Sequence, residues 1–335
     1  MKLLFITQKI DEKDDDLAFT ILWIKEFINQ GVEVEVICLE KGSFDNSFPV
    51  HSLGKEKGNG KIKRICIFLK LILSLDYERI FVHMNPEYVT LGGWWWFLRR
   101  APIYLWYTHY AMHFHLWLSG MLCKRMFAAT AQSLPQYEGN LKKVILGHGI
   151  DVDFWNKDRK ETGGENFFNL LSVHRISRSK RLELNIIALK YLSEKYTLTV
   201  YGRAIDKDYF SELEEIIKEN NLGKRVFFKG PVPMAELRNI YPSYRIMVNM
   251  APETIDKTIL EGMVFGLYPV TTPGNSQAIG LSVWPTGESP ERIADFILSK
   301  KWQNYSESQL RAIVIEKHSL KALIGKMLKF IIQGN

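Results

Sequence analysis

The sequence has little cysteine and no apolar run long enough to cross a membrane. Its three cysteines, Cys38, Cys66 and Cys123, stand apart, with no C-x-x-C pair among them. This usage argues against a disulfide framework or a cysteine-ligated zinc site and favours a reducing compartment. The apolar segment 65–75 is interrupted by Lys70 and is shorter than the ~20 residues that a membrane-spanning helix needs. Because the chain begins with a short strand-like run and not with a signal peptide, we expect a cytoplasmic protein.

Two motif classes that would point to other functions are also absent. No G-x-G-x-x-G occurs, which argues against a nicotinamide-dependent dehydrogenase. The net charge of +7 favours anionic partners, among them phosphates, acidic lipid surfaces and nucleic acid. Because the cations are dispersed and no nucleic-acid-binding motif is present, we expect no nucleic-acid partner.

The chain is too long for one ordinary core, since 335 residues suit two domains of about 150 residues each. Strand-like runs alternate with segments of helical period in both halves, which predicts an α/β fold of two doubly wound domains. The polar stretch 156–166 is typical of a linker. The predicted strands are residues 2–7, 34–38, 79–83, 103–107 and 144–147 in the first half, and 169–174, 197–201, 225–228, 246–249 and 268–271 in the second.

Two glutamates in the spacing E-x7-E follow the predicted strand 246–249. A helix that begins near Lys257 or Thr258 would present the free N–H groups of its first turn to a phosphate. Glu253 would lie in the loop before that helix. Glu261 would lie about one turn into it, where a carboxylate can accept hydrogen bonds from both hydroxyls of a ribose. The alternative is that both glutamates are solvated charges flanking an amphipathic helix.

A basic turn follows the first predicted strand of the second half. Arg175 and Lys180 lie there between a strand and a helix, where doubly wound domains bind ligand phosphates. An arginine grips a phosphate through two donors and a lysine acts as a point charge, so the pair could clamp a diphosphate. The alternative is a basic loop that keeps the protein soluble. With the helix end and its carboxylates, the clamp suits a sugar-diphosphate-ribose ligand.

Four motifs in one order resemble those of the retaining glycosyltransferases of glycosyltransferase family 4. They are His148-Gly149-Ile150-Asp151 with Phe154, His174-Arg175-Ile176 followed by Lys180, Phe228-Lys229-Gly230-Pro231-Val232, and Glu253 followed by Leu260-Glu261-Gly262-Met263-Val264-Phe265-Gly266. The resemblance covers most of residues 79–310. It implies the GT-B fold, in which two Rossmann-like domains face a central cleft.

On this resemblance the first domain, residues 1–155, binds the acceptor, and the second, residues 166–312, binds a nucleotide sugar. A C-terminal helix within residues 313–335 is expected to pack back on the first domain. Arg175 and Lys180 would hold the donor diphosphate, Glu261 the ribose and Glu253 a hydroxyl of the transferred sugar. The donor-binding residues expected in this way are Arg175, Lys180, Gly202, Val232, Glu253, Ile255, Asp256, Lys257, Thr258 and Glu261.

A histidine in the first half also resembles a family feature. His109 follows the predicted strand 103–107, as does the family's strand-end histidine, which contacts the transferred sugar from the opposite domain. A histidine there can donate to a sugar hydroxyl or stabilise developing charge, although a structural role is the alternative. We therefore expect His109, Glu253, Arg175 and Lys180 to take part in catalysis.

The resemblance also implies the reaction, which is transfer of a hexose-type sugar with retention from a UDP or GDP sugar, without a metal or other cofactor. His113 and His115 lack the acidic or thiol companions of a dependable metal site. Two departures from the family bear on sugar recognition. The loop 8–16 lacks the family's two glycines, and Thr254-Ile255-Asp256 replaces its Gly-Phe-Gly.

The first half is rich in aromatic and basic side chains. Trp94-Trp95-Trp96 precedes Arg99 and Arg100, with further rings up to Trp117, and lysines cluster within 55–63. Such residues suit an anionic membrane interface or stacking on sugars, although core packing is an alternative. We expect a glycan or lipid-linked acceptor in surface polysaccharide or glycoconjugate synthesis, and peripheral contact with the inner face of the membrane. The competing functions are a non-catalytic nucleotide- or glycan-binding protein and a sugar-nucleotide epimerase.

Overall fold

The computed structural model describes residues 1–109, 111–155, 167–252 and 255–333. The chain forms two compact units, one of Met1–Gly149 with Leu320–Asn335 and the other of Ile150–Ser319. The linker that the sequence predicts at 156–166 lies outside the described residues.

Each unit has one parallel sheet. The strands are β1 (Lys2–Ile10), β2 (Glu33–Lys41), β3 (Val50–Ser52), β4 (Arg79–His83), β5 (Ile103–Trp106), β6 (Arg125–Ala128), β7 (Lys143–Ile145), β8 (Asn169–Val173), β9 (Thr197–Tyr201), β10 (Val226–Gly230), β11 (Ile246–Asn249) and β12 (Tyr268–Thr271). Their order is β3-β2-β1-β4-β5-β6-β7 in the first unit and β10-β9-β8-β11-β12 in the second. Both orders are those of doubly wound sheets, and the predicted α/β fold class is confirmed.

Helices connect the strands. They are α1 (Phe19–Asn29), α2 (Lys61–Ser74), α3 (Pro86–Leu98), α4 (Phe114–Leu122), α5 (Leu182–Ala188), α6 (Lys207–Glu219), α7 (Met234–Ile240), α8 (Lys257–Val264), α9 (Pro273–Ile279), α10 (Pro290–Ser299), α11 (Glu307–His318) and α12 (Leu320–Gln333). None of these described helices combines the length and the apolarity that crossing a membrane requires.

The core of the first unit lies on both faces of its sheet. Successive side chains of a strand point to opposite faces, so Phe5 packs in the cluster that contains α1 and α12. Its neighbour Ile6 packs in the cluster that contains α2, α3 and α4. A strand such as β1, buried on both faces, is therefore apolar at consecutive positions.

The unit boundaries differ from the predicted domain limits. Trp155, at the predicted end of the first domain, packs in the second unit, with its ring centroid 5.6 Å from that of Tyr241 and 6.2 Å from that of Phe265. The predicted C-terminal helix corresponds to α12, and the predicted segment 313–335 also includes the end of α11. Helix α11 contributes Leu310 and Val314 to the core of the second unit, and only α12 packs in the first.

The predicted strands overlap observed ones, but β3 and β6 escape the sequence pattern. They have only 3 and 4 residues, respectively, and β3 has a single apolar residue, Val50, beside two polar ones. Strand β1 runs on to Ile10, into the segment 8–16 that the sequence indicates as a loop. There Lys9 pairs with Asp14 at 2.8 Å and with Glu40 at 3.3 Å. Part of the acidic run is therefore paired within the unit.

A close backbone approach fixes the loop after β9. Gly202 has φ +146°, and a Cβ there would lie 1.9 Å from the carbonyl oxygen of His174. We expect Gly202→Ala to lower the free energy of unfolding by on the order of 2–4 kcal/mol, because backbone must move to admit the methyl group. Thermal or urea unfolding measures this. Gly223→Ala is the control, since its Cβ would meet nothing within 4 Å; equal stability of the two variants would contradict the prediction.

Candidate functional site

The sheet of the second unit reverses its strand order beside β8. Strand β8 pairs with β9 on one side and with β11 on the other, while β9 continues to β10 and β11 to β12. In doubly wound sheets ligands bind beyond the carboxyl ends of the strands at such a switch point. The basic turn follows β8 and the E-x7-E segment follows β11, so both predicted motifs flank this point.

An ion pair joins the two motifs. Lys180 Nζ lies 2.5 Å from Asp256 Oδ1, and the two side chains are only 12% and 18% exposed. Asn249, the last residue of β11, donates from Nδ2 to Asp256 Oδ2 at 2.8 Å. Burial opposes the ionisation of Asp256, but the charge of Lys180 and the hydrogen bonds from Lys180 and Asn249 outweigh it and lower the pKa of this carboxyl. The carboxylate is therefore held ionised at the switch point.

Helix α8 begins at this carboxylate. Asp256 is its N-cap residue, and Thr258 Oγ1 donates to the carbonyl oxygen of Val173 at 2.7 Å. This bond ties the first turn of α8 to the end of β8. The N–H groups of a first helical turn carry partial positive charge and favour an anion. The helix starts where the sequence predicts, with Lys180 beside its first turn.

The cations of the basic turn differ in their ion-pair partners. Arg178 pairs with Glu212 of α6, and Arg181 pairs with Glu288 at 2.5 Å. Arg175 is exposed directly after His174. The predicted phosphate ligands of this turn are Lys180, which pairs with Asp256, and Arg175, and their role stays a prediction.

His174 is a buried part of the same turn. Its Nδ1 lies 3.0 Å from the carbonyl oxygen of Arg175. Because a carbonyl oxygen can only accept, Nδ1 carries the proton of this hydrogen bond. Burial lowers the pKa of His174, against the nearby charge of Asp256. The neutral ring supports the backbone that carries Arg175.

Glu261 lies one turn into α8 and is almost fully buried, at 6% exposure. Tyr241 donates its hydroxyl to Oε2 at 3.2 Å. Burial raises the pKa of Glu261 to about 7, although the charge of Lys257 opposes the shift. Burial also holds the pKa of Lys257 well below its usual range. The two groups are one turn apart on the helix, and their charged forms are costly without further hydrogen bonds.

The remaining predicted donor residues differ in what their side chains contact. Gly202 follows β9 and donates its N–H to the carbonyl oxygen of Gly230 at 2.9 Å. Val232 is partly buried against the core of the second unit. The side chain of Ile255 belongs to that core and is 4% exposed. Any ligand contact of Ile255 would therefore come from its backbone.

The structure does not test two of the predicted catalytic residues. Glu253 and the adjacent Thr254 lie outside the described residues. His109 belongs to the first unit, where it is exposed after β5 with its ring centroid 5.5 Å from that of Tyr107. Their roles stay predictions.

Sequence reasoning assigned no role to Asn249 or Tyr241, which donate hydrogen bonds to the carboxylates of Asp256 and Glu261. Asn249 ends a predicted strand next to the E-x7-E segment, which was a usable signal for a site residue. Tyr241 lies at the end of a predicted helix, without a local motif. Among the side chains that the structure describes, no three histidines, cysteines or carboxylates group as ligands for a metal ion.

Comparisons with known proteins agree with this fold. The sequence model of the family described as Glycosyl transferases group 1 matches residues 153–279. A comparison with curated proteins finds no significant match.

Several solved structures share the fold over the whole chain. HepE from Anabaena, solved with UDP-glucose, is 17% identical, with a TM-score of 0.80 over 99% of this chain and 100% of that chain. Sucrose-phosphate synthase from Thermosynechococcus elongatus is 13% identical, with a TM-score of 0.74 over 100% of both chains. The lipopolysaccharide outer core galactosyltransferase WaaB is 14% identical, with a TM-score of 0.69 over 100% of this chain and 99% of that chain.

These likenesses establish the GT-B fold, as the sequence predicts. The matched segment 153–279 covers most of the second unit and carries Arg175, Lys180, Asp256 and Glu261. A glycosyl transferases group 1 domain therefore contains the candidate site. The predicted enzyme class, a glycosyltransferase, is confirmed.

Lys180 and Asp256 should be strongly coupled in their effect on stability. We expect Asp256→Ala to lower the free energy of unfolding by on the order of 3–5 kcal/mol, because it leaves a largely buried ammonium group without its carboxylate. Lys180→Met in the same chain should recover much of this loss. Thermal unfolding of the two single variants and the double variant measures the coupling; additive losses would contradict it.

The buried Glu261 should make stability depend on pH. Its folded-state pKa is about 7 against an ordinary value of 4.5, so the unfolded chain loses this proton first as pH rises. Stability contributed by the protonated carboxyl is therefore lost between about pH 4.5 and 7. We expect Glu261→Gln to unfold at a higher temperature than the wild type at pH 8, with the difference closing below pH 4.5.

Thermal unfolding across this pH range measures the effect in the absence of nucleotide. The control is Glu214→Gln, at an exposed position of α6, which should follow the wild type throughout. A Glu261→Gln variant that is less stable than the wild type at pH 8 would contradict the prediction.

Proposed function

We propose that the chain is a retaining, metal-independent glycosyltransferase of glycosyltransferase family 4. It transfers a hexose-type sugar from a nucleoside diphosphate sugar to a glycan or lipid-linked acceptor. The observation that carries the proposal is the cluster at the switch point between β8 and β11. There two cations, a helix N-terminus and a buried glutamate lie within the segment that matches the family.

The donor would bind through its diphosphate and its ribose. Arg175, Lys180 and the first turn of α8 would take the negative charge of the diphosphate. Glu261 would accept hydrogen bonds from the ribose hydroxyls, replacing part of the solvation that burial removes. The similarity to HepE, solved with UDP-glucose, supports a UDP sugar, with GDP as the alternative base.

The same cations would serve the chemistry. The bond between the anomeric carbon and the phosphate oxygen breaks, and the departing diphosphate carries charge that Arg175 and Lys180 stabilise without a metal ion. The acceptor oxygen bonds to the anomeric carbon on the same face, and its proton passes to the leaving phosphate. Glu253 and His109 would hold hydroxyls of the transferred sugar.

The acceptor would be part of a surface polysaccharide or another glycoconjugate. The similarity to a lipopolysaccharide galactosyltransferase supports this class. We place the enzyme in the cytoplasm, in peripheral contact with the anionic inner face of the membrane, where a lipid-linked acceptor would lie. Exposed aromatic side chains of the first unit support that contact.

One observation favours a second candidate function. Asp256 stands where the family has a glycine, and its carboxylate already occupies Lys180 at 2.5 Å. A resident carboxylate competes with a phosphate for the same cation. The second candidate is therefore a protein that binds nucleotides or glycans without transferring sugar.

A nucleotide-sugar panel tests the proposal. UDP-, GDP-, ADP- and TDP-hexoses are added in the presence of EDTA, and binding is followed by thermal shift and turnover by release of the nucleoside diphosphate. We expect one nucleotide class to bind, with affinity lowered at least ~10-fold in Glu261→Ala and in Lys180→Ala, since each removes a charged hydrogen-bonding partner of the ligand.

Lys224→Ala, at an exposed position of the same unit, is the control and should bind like the wild type. Binding without hydrolysis or transfer to any acceptor would favour the second candidate. No binding of any nucleotide would overturn the proposal, and a product of inverted anomeric configuration would refute retention.

A further inference from the structure

Three helices of the first unit, α2, α3 and α4, cover one face of its sheet. Their inner sides are buried and apolar, with Phe68 on α2, Val89 and Trp96 on α3 and Leu116 on α4 in one cluster. A helix packed in this way on a water-soluble protein normally has a polar outer side.

The outer sides of these three helices are apolar instead. Eight large apolar side chains there are between 49% and 80% exposed, and we call them the apolar face: Ile62, Leu73, Trp94, Phe97, Leu98, Phe114, Trp117 and Met121. On α3 and α4 they recur at spacings of three and four residues, so each helix presents one continuous stripe. Their exposure is high enough that no described part of the chain covers them.

The three helices pack side by side, so their stripes belong to one surface. A Cβ at Gly93 of α3 would lie 2.6 Å from Leu122 Cδ1 of α4, and His115 Nδ1 lies 3.0 Å from Thr90 Oγ1. On the other side of α3, Trp95 Nε1 donates to the carbonyl oxygen of Ile72 of α2 at 3.0 Å.

The charged side chains of the segments that carry the apolar face are almost all basic. No aspartate or glutamate occurs in residues 57–75 or 88–137, although the chain has 37 of them. The cations of these two segments are Lys57, Lys61, Lys63, Arg64, Lys70, Arg99, Arg100, Lys124 and Arg125. Of the acidic residues that flank them, Asp76 pairs with Lys2 at 2.6 Å, and Glu87 lies in the first turn of α3.

The aromatic segment 94–117 is therefore divided between core and surface. Trp96 and Trp106 are buried and account for the core packing that the sequence left open. Trp94, Trp117 and Phe97 have no such role. Exposed aromatic rings beside arginines and lysines are what the interface of an anionic bilayer favours.

We propose that the apolar face docks on an anionic lipid bilayer, with its aromatic rings between the headgroups and its flanking cations on the lipid phosphates. A second copy of this chain is a poorer occupant, because two such faces would place cations against cations. This inference rests on the proposed function. It names the surface that would hold the enzyme beside a lipid-linked acceptor.

Sedimentation with vesicles tests the docking surface. The full chain is spun with vesicles of phosphatidylcholine alone and with phosphatidylglycerol added. We expect binding to the anionic vesicles only, weakened by salt because the cations contribute electrostatically. Both Trp94→Ser/Phe97→Ser/Trp117→Ser and Arg99→Glu/Arg100→Glu should lose at least ~10-fold in binding.

The control is Ile205→Ser/Leu298→Ser/Ile315→Ser, which removes exposed apolar side chains of the second unit and should bind vesicles like the wild type. Nucleotide binding of every variant is measured by thermal shift, which also reports folding. We expect the two docking variants to bind nucleotide normally but no longer to sediment with vesicles.

Two outcomes would overturn the inference. One is a wild type that binds nucleotide but no vesicles, which leaves the proposed function standing. The other is a wild-type dimer that the triple tryptophan and phenylalanine variant converts to a monomer, without lipid binding by either, which assigns the face to a second copy. Vesicle binding without nucleotide binding would instead count against the proposed function alone.

Discussion

The reversal of strand order between β8 and β11 places the candidate donor-binding residues of the second unit. The chain passes from β8 to β9 on one side of the sheet and later enters β11 on the other side of β8. The carboxyl ends of the adjacent strands β8 and β11 are therefore open. The basic turn and the start of α8 meet there, held by Thr258 on the carbonyl oxygen of Val173 and by Lys180 on Asp256. Gly202 closes the neighbouring loop so tightly that a side chain has no room. The geometry of the site is thus a consequence of topology, fixed by a few polar contacts.

Those contacts concentrate charge in a poorly solvated place. Glu261, Lys257, Asp256 and Lys180 are all at least partly shielded from water, and Asp256 and Lys180 form an ion pair there. A raised pKa at Glu261 means that its ionised form is costly until a ligand donates to it. The ionised Glu261 lowers the stability of the protein without ligand. A ribose that donates two hydrogen bonds would restore this free energy, which would then contribute to binding. On the proposed function, the arrangement would be a preorganised site for a diphosphate and a ribose, with part of the cost of binding already present in the protein without ligand.

Much of this could be predicted from the sequence, for a physical reason. Buried parallel strands such as 79–83 and 246–249 are nearly continuous apolar runs, and α8 begins where a strand-end loop with E-x7-E indicates. Short elements such as β3 do not carry a period, and their edge position depends on pairing partners distant in sequence. Tyr241 could not be assigned a role, because its contact with Glu261 arises only when the end of α7 packs against α8. The division of the tryptophans between core and surface likewise depends on which side of α3 faces the sheet.

The most direct test of the account is a crystal structure with UDP or GDP bound, whichever the binding panel selects. The account predicts that the diphosphate lies against Arg175, Lys180 and the first turn of α8, and that the ribose hydroxyls donate to Glu261. In that complex Lys180 Nζ would contact a phosphate oxygen in addition to, or in place of, Asp256. A nucleotide bound elsewhere on the chain, with the Lys180–Asp256 pair untouched and Glu261 still buried without a ligand, would contradict it.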